Sequence, residues 1–195
     1  MPAPPTFAIL AGGGGTRLGG RDKGLVDVGG RPLVAWVCDL APAGAEVLIV
    51  ANRHAPDYAR FGRVVTDLWP GQRGPLAGIA TALAEARCEW VLTVPVDCPR
   101  PPADLVPRLR AALDAAPRAR LASACEARGP QPLFALYRRS LAQRAALALQ
   151  RDLPVWRWQE EEGALRVDFS DVAAAFANLN AEADRASLLE RLAHG

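Results

Sequence analysis

This chain of 195 residues is 50% hydrophobic and 23% charged, and its formal net charge is +2. The length and the apolar content are typical of one globular domain, so a single domain over 1–195 is expected. Because the net charge is small and acidic and basic residues are mixed, a nucleic-acid partner is not expected. No run approaches the ~20 apolar residues that span a bilayer, which argues against a membrane partner.

The predicted elements alternate along the chain between short apolar runs and helical patterns. Strands are predicted over 7–11, 46–51, 63–66, 90–96, 120–126, 132–137 and 164–169. Helices are predicted over 31–41, 56–61, 75–87, 103–116, 140–150 and 181–193. This alternation predicts an α/β fold in which helices cover both faces of a mostly parallel central sheet.

The amino-terminus and the cysteines bear on the cellular compartment. The first residues, MPAPPTF, contain no basic residue and no long apolar run, so they do not form a signal peptide. The four cysteines form no CxxC pair and only two histidines are present, so a zinc site is not expected. Scattered cysteines without an export signal predict reduced thiols and a cytoplasmic location.

A glycine-rich loop, LAGGGGTRLGGRDKG, follows the first predicted strand and extends from Leu10 to Gly24. Ligands of parallel sheets bind outside the carboxyl ends of the strands, so this loop is a candidate ligand site. Glycines let successive backbone N–H groups converge on an anion, and Arg17 and Lys23 add positive charge suited to phosphates. A plain flexible turn is the alternative, but the position after a strand and the flanking cations favour phosphate binding.

The loop matches neither of the commoner phosphate-binding patterns, because Lys23 follows Asp22 and no G-x-G-x-x-G spacing is present. It resembles the signature loop of nucleotidyltransferases that transfer a nucleoside monophosphate to a phosphorylated acceptor. The Asp22–Lys23 pair is similar to the molybdenum cofactor guanylyltransferases, whereas sugar nucleotide pyrophosphorylases typically have a proline before the lysine. Further stretches agree in order over nearly the whole chain: ANRH (51–54), GPLAGI (74–79), VPVDCP (94–99) and FANLN (176–180).

The resemblance implies a fold, a reaction and partners. The fold would be a Rossmann-like three-layer α/β/α sandwich. The reaction would transfer GMP from GTP to molybdenum-loaded molybdopterin, giving the guanine dinucleotide cofactor and pyrophosphate, with Mg²⁺ as cofactor. Other proteins of molybdenum cofactor biosynthesis and acceptor molybdoenzymes would be further partners.

Asp97 follows the fourth predicted strand, in the stretch TVPVDCP. A carboxylate at that place faces the ligand edge of a parallel sheet, and Mg²⁺ prefers hard oxygen ligands of this kind. The alternative is an aspartate that forms the turn before Cys98–Pro99. The resemblance makes Asp97 the ligand of Mg²⁺ and of the triphosphate, and it completes a catalytic set with Arg17 and Lys23.

Two more polar residues follow predicted strands: Asn52 after the second and Asp67 after the third. An amide can both donate and accept hydrogen bonds, so Asn52 suits a base edge or a ribose. Ordinary turn or cap roles are the alternative for both residues. The resemblance implies GTP contacts at both, and it also implies that the nucleotide lies against the backbone of Leu10, Ala11, Gly12 and Gly13.

Asn178 and Asn180 flank Leu179 at strand spacing, so that both side chains would point the same way. The resemblance implies a role near the acceptor phosphate or the metal. A turn before the last helix, with Asn180 as its N-cap, is the alternative. In GPLAGI, Gly74 and Gly78 would allow close approach either of a ligand or of a packed helix.

Two other kinds of function remain open. A molybdopterin cytidylyltransferase or a sugar-1-phosphate nucleotidyltransferase would have the same fold, although GPLAGI and Asp22–Lys23 argue against both. A GTP-binding regulator without catalysis is the other alternative. The joint presence of Arg17, Lys23 and Asp97 weighs against that reading.

Overall fold

The structure is a computed structural model that describes residues 3–12, 22–69 and 74–178. The strands in this part of the chain are β1 (Thr6–Leu10), β2 (Asp27–Val28), β3 (Arg31–Pro32), β4 (Val47–Val50), β5 (Arg63–Val65), β6 (Trp90–Pro95), β7 (Leu121–Glu126), β8 (Gly129–Arg138) and β9 (Leu165–Asp168). The α-helices are α1 (Leu33–Cys38), α2 (Ala55–Tyr58), α3 (Pro75–Glu85), α4 (Leu105–Ala115), α5 (Ala142–Gln150) and α6 (Val155–Glu161).

Seven of the strands form one sheet in the order β5-β4-β1-β6-β8-β7-β9. β1 pairs in parallel with both β4 and β6, β4 pairs in parallel with β5, and β7 does so with β9. β8 runs antiparallel between β6 and β7. The predicted mostly parallel sheet is therefore confirmed.

The winding of the sheet reverses beside β1. The chain proceeds from β1 to β4 and β5 on one side, and then returns to place β6 on the other side. We call the edge where β1, β4, β5 and β6 end the carboxyl edge, and the edge where they begin the amino edge. In open α/β sheets, ligands bind in the crevice that such a reversal opens at the carboxyl edge. Here the crevice lies between β1 and β6.

Helices cover both faces of the sheet, as expected for a three-layer α/β/α sandwich. In β1, Phe7 and Ile9 belong to a core that includes buried residues of α1 and α4. Ala8, between them, belongs to a second core that includes buried residues of α3, α5 and α6. Side chains of a strand alternate between its faces, so each short apolar run supplies both cores.

The structure departs from the sequence prediction in two places. The helix predicted over 31–41 begins only at Leu33, because Arg31 and Pro32 pair with Asp27 and Val28 in an antiparallel hairpin. The short helix α6 was not predicted from the sequence, although it buries Val155 and Trp158. The helix predicted over 181–193 lies outside the described residues.

Candidate active site at the carboxyl edge of the sheet

The carboxyl edge brings together the polar residues that follow four strands. Gly12 follows β1, Asn52 follows β4, Asp67 follows β5 and Asp97 follows β6. Backbone hydrogen bonds hold these strand ends in register: the amide of Ala11 donates to Val50 O, at 2.9 Å, and that of Val96 donates to Leu10 O, at 3.1 Å. The predicted placement of the polar loops at one edge is therefore confirmed.

Lys23 and Asp97 meet across the crevice between β1 and β6. The distance from Lys23 Nζ to Asp97 Oδ2 is 3.2 Å, and the side chains are 24% and 21% exposed. Ion pairs that water can reach add little stability, about 0–1 kcal/mol. The pair instead places one positive and one negative charge side by side where a ligand can enter.

Lys23 is the only lysine among the 195 residues, and arginine supplies the other 22 basic side chains. An ammonium is a compact point charge, whereas a guanidinium is a planar fork, so the two are not interchangeable at a phosphate site. A chain that otherwise uses arginine but has lysine at this one position indicates a specific requirement for the smaller cation. This signal was available in the sequence.

Asn52 and Asp67 form a reciprocal pair beside the crevice. Asn52 Nδ2 donates to Asp67 Oδ2, at 2.7 Å, and Asn52 Oδ1 accepts from the backbone amide of Asp67, at 2.9 Å. The second carboxylate oxygen, Asp67 Oδ1, is buried and has no hydrogen-bond partner among the described residues. Buried acceptors are nearly always satisfied in folded proteins, so this oxygen is suited to accept a donor from a ligand.

Two glycines border this pair. A Cβ added at Gly12 would lie 3.6 Å from Asn52 Nδ2 and 3.8 Å from Asp67 Oδ2, in ordinary contact. A Cβ added at Gly78 would lie 3.4 Å from Leu10 Cδ2 and 3.9 Å from Asp67 Oδ1. Gly78 is a buried residue of α3, so its lack of a side chain serves the packing of this helix against the strand ends. The helix therefore lies directly against Asp67.

The remaining predicted site residues are placed only in part. Arg17, Gly13 and Asn180 lie outside the described residues. Asn178 is exposed and follows the 3₁₀ helix Ser170–Phe176, and the strand spacing expected over 178–180 lies partly outside the described residues.

The segment before Asn178 is nevertheless tied to the loop of Asp97. Cys98, which is fully buried, donates from Sγ to the carbonyl of Ala175, at 3.3 Å. Phe176 packs edge-on against Phe134 of β8, with ring centroids 4.9 Å apart. These contacts hold the approach to Asn178 beside the carboxyl edge.

Comparison with known proteins shows the family of the chain. The family described as the MobA-like NTP transferase domain matches residues 7–166. A molybdenum cofactor guanylyltransferase of Burkholderia orbicola is 44% identical, with 98% of this chain and all of the relative covered. The enzyme of the same name from Vibrio cholerae is 38% identical, over 92% of this chain and 89% of the relative.

A solved structure shares the fold. It is the molybdopterin-guanine dinucleotide biosynthesis protein A of Archaeoglobus fulgidus, with a TM-score of 0.78 and 20% identity over 97% of this chain and all of the other. The sheet order and the polar carboxyl edge, together with these matches, define the class of NTP transferases. The chain belongs to the MobA-like NTP transferase family, in which these relatives are molybdenum cofactor guanylyltransferases.

No helix among the described residues is both long enough and apolar enough to cross a membrane.

Proposed function

We propose that this chain transfers GMP from GTP to molybdopterin, giving molybdopterin guanine dinucleotide and pyrophosphate. The observation that carries the proposal is the pairing of the only lysine with Asp97 in the crevice between β1 and β6. The names of the relatives, which are more than a third identical over almost the whole chain, support the choice of substrates.

The phosphate side of the site is assigned to the loop after β1. Lys23 Nζ contacts the β- and γ-phosphates, Arg17 adds a second cation, and the backbone of Leu10, Ala11, Gly12 and Gly13 lies against the nucleotide. Fixed positive charge in a crevice partly shielded from water stabilises the pyrophosphate as it leaves. Lys23 Nζ already lies in the crevice beside Asp97, where substrate phosphates can replace that carboxylate as its partner.

The donor set at this edge fits Mg²⁺. No group of three or more His, Cys, Asp or Glu side chains that could hold a metal occurs in the described part of the chain. Mg²⁺ commonly takes one or two carboxylates and completes its shell with water and substrate phosphates, so Asp97 suffices as the protein ligand. When bound, Mg²⁺ would offset the repulsion between the donor and acceptor phosphates.

The base is assigned to Asn52 and Asp67. Asp67 Oδ1 has no partner among the described residues, and a carboxylate oxygen can accept hydrogen bonds from a ligand. Guanine presents an exocyclic amino group and a ring N–H as neighbouring donors, which suits a carboxylate. Asn52 holds the carboxylate in place through its own two hydrogen bonds.

The transfer requires alignment more than covalent chemistry. An oxygen of the acceptor phosphate forms the new bond to the α-phosphorus as the bond to the pyrophosphate oxygen breaks. The acceptor phosphate is already ionised near pH 7, so no strong general base is required. Asn178 and Asn180 are assigned to the acceptor side.

The wider setting is also part of the proposal. Residues 1–195 form one domain that works in the cytoplasm. Other proteins of molybdenum cofactor biosynthesis and the molybdoenzymes that receive the product are its macromolecular partners.

The deciding experiment offers GTP, CTP, ATP and UTP separately to the purified protein with molybdopterin and Mg²⁺. The dinucleotide product is identified by mass, and pyrophosphate release is followed in parallel. We expect product with GTP in strong preference to the other three. Equal or better use of CTP would make the protein a cytidylyltransferase, and GTP binding without pyrophosphate release would make it a regulator.

A further inference from the structure

A tyrosine that is not among the proposed nucleotide contacts packs against the two residues that flank Lys23. Tyr58, the last residue of α2, is fully buried, and its hydroxyl donates a hydrogen bond to Asp22 Oδ1. Thirty-six positions separate the two residues in the sequence. The contact therefore joins the end of α2 to the residue that precedes Lys23.

Asp22 controls the turn that carries Lys23. The same Oδ1 accepts from the amide of Gly24, at 3.1 Å, and Asp22 is the N-cap of the 3₁₀ turn Lys23–Leu25. The turn closes through the amide of Leu25, which donates to Asp22 O at 3.1 Å. One carboxylate oxygen thus fixes the backbone on both sides of Lys23.

Gly24 shows how closely Tyr58 approaches this turn. A Cβ added at Gly24 would overlap the Tyr58 hydroxyl and would lie 3.0 Å from two ring carbons. Any larger residue at this position would clash with Tyr58, so glycine is required. The tyrosine ring packs directly against the turn.

The phenol keeps its proton at any working pH. Burial raises the pKa of Tyr58 far above its ordinary value of 10.0, and the hydrogen bond and charge of Asp22 raise it further, against a lowering by Arg53. A protonated phenol is a donor that matches the acceptor-only carboxylate.

We propose that Tyr58 and Asp22 are positioning residues that hold the Lys23 turn so that Nζ points into the crevice, towards Asp97 and the phosphates. The link to catalysis rests on the proposed function, whereas the link to the Lys23 geometry does not. A lysine side chain is long and flexible, so fixing its backbone limits the directions that the ammonium can take. Supporting residues of this kind commonly affect activity by about 10–100-fold.

The competing explanation is that Tyr58 only fills the core. Its ring does belong to the buried cluster that includes Phe7, Ile9 and residues of α1. A core role predicts loss of stability on truncation, with no specific effect on Lys23. The chain offers a matched control, since its only other tyrosine, Tyr137, is equally buried and its hydroxyl is hydrogen-bonded to Gln159, away from the carboxyl edge.

The first test uses the single lysine and needs no nucleotide. Protein labelled with ¹³C,¹⁵N-lysine gives one lysine amide signal and one ε-methylene signal by NMR, both from Lys23. We expect Tyr58→Phe to move both signals and Tyr137→Phe to move neither, while thermal melts confirm that both variants fold. Unmoved Lys23 signals in folded Tyr58→Phe protein would overturn the proposal.

A second variant pair tests the same geometry without touching the core. Asp22→Asn keeps an oxygen that can accept from both Tyr58 and Gly24, whereas Asp22→Ala removes it. We expect the Lys23 signals of Asp22→Asn to stay close to those of the unmodified protein and those of Asp22→Ala to move as in Tyr58→Phe. Equal spectra for the two Asp22 variants would contradict a role for the shared acceptor.

A double-mutant cycle tests the catalytic consequence. We expect Tyr58→Phe to lower kcat/KM for GTP by about 10-fold. In a Lys23→Ala background it should cause almost no further loss, because it acts through Lys23. Losses that multiply would show that Tyr58 acts independently of Lys23 and would overturn the proposal. If the unmodified protein transfers no GMP, the proposed function fails, and the labelled-lysine spectra alone decide the positioning role.

Discussion

The amino edge and the carboxyl edge of the sheet use polar residues in opposite ways. At the amino edge, Glu46 precedes β4 and its side chain is only 15% exposed. It accepts from the Thr6 hydroxyl at 2.8 Å, from the Arg87 amide at 3.0 Å, and from Arg63 at 3.0 and 2.8 Å. Both carboxylate oxygens are thus satisfied, by groups at the starts of β1 and β5 and after α3.

At the carboxyl edge, some polar groups are not fully hydrogen-bonded within the described part of the protein. Asp67 Oδ1 is buried with no partner among the described residues, although Asn52 satisfies the other oxygen. Lys23 and Asp97 form a pair that remains about one quarter exposed. Satisfied buried networks stabilise a fold, whereas unsatisfied groups at a crevice cost stability and give affinity for a ligand. The comparison therefore predicts that variants of the two edges affect different measurements.

The largest effect is expected from Asp97→Asn, which removes the charge proposed to hold Mg²⁺. Guanylyl transfer should fall by roughly 10²–10³-fold, as on loss of one preorganised electrostatic group. Raising Mg²⁺ should restore only part of the rate, and GTP binding without metal should change little or improve. Turnover is measured against Mg²⁺ concentration, and a thermal melt checks the fold.

Asp39→Asn is the control for that variant, because Asp39 is a 59% exposed partner of Arg31 after α1, away from the crevice. It should leave turnover unchanged. Near-normal turnover of folded Asp97→Asn protein at low Mg²⁺ would contradict the role of Asp97 as the Mg²⁺ ligand.

The next effect is expected from Lys23→Ala and Arg17→Ala. Both variants should weaken GTP binding and lower turnover, because each removes a fixed positive charge that balances the phosphates. Turnover should fall by about 10²-fold in Lys23→Ala. Binding is measured by calorimetry. Arg60→Ala removes a 73% exposed cation and should change neither quantity. Unaltered GTP affinity in folded Lys23→Ala protein would refute the phosphate assignment.

A smaller effect concerns the choice of base. Asp67→Ala should reduce the preference for GTP over CTP by about 10-fold or more, since a hydrogen bond to a charged group contributes about 1.5–3 kcal/mol. The preference is measured as the ratio of kcat/KM for the two nucleotides. Asp114→Ala, a 62% exposed aspartate of α4, should leave the ratio as it is. An unchanged ratio in Asp67→Ala protein would show that Asp67 does not recognise the base.

The smallest effect on turnover, and the clearest one on stability, is expected at the amino edge. Glu46→Gln should lower the free energy of unfolding by about 1–3 kcal/mol, because Arg63, Thr6 and the Arg87 amide lose a charged acceptor. Kinetic constants at a permissive temperature should not change. Glu89→Gln, whose parent side chain is 67% exposed, should change stability by less than about 0.5 kcal/mol.

The contribution of Glu46 should also depend on pH. Burial alone would raise the pKa of Glu46, but the hydrogen bonds from the Arg87 amide, Thr6 and Arg63, with the charge of Arg63, lower it below its ordinary value of 4.5. A lowered folded-state pKa gives stability that is fully present above the ordinary value and is lost as pH falls through the folded value. The stability difference between the unmodified protein and Glu46→Gln should therefore shrink in acid. A constant difference across pH 3–7 in denaturant titrations would contradict this assignment.

The sequence located the strands well, because a buried strand leaves a contiguous apolar signature. The predicted run 90–96 corresponds to β6 (Trp90–Pro95), and 63–66 corresponds to β5 (Arg63–Val65). The sequence-based prediction missed the hairpin of β2 and β3, because strands of two residues show no hydrophobic periodicity. It also failed at α6, where a segment of seven residues is too short for a clear helical pattern.

The sequence by itself determined which residues are candidates for the site. Glycines after a strand, a single lysine, and polar residues after successive strands are all contiguous features, and the carboxyl ends of parallel strands necessarily lie at one edge. Only the tertiary structure decided which of them pair. Lys23 and Asp97 are 74 positions apart, and they meet because β6 returns to the far side of β1. Tyr58 reaches Asp22 because the end of α2 packs against the turn of Asp22 and Gly24. Strand order and helix packing depend on burial over the whole chain, and no local pattern encodes them.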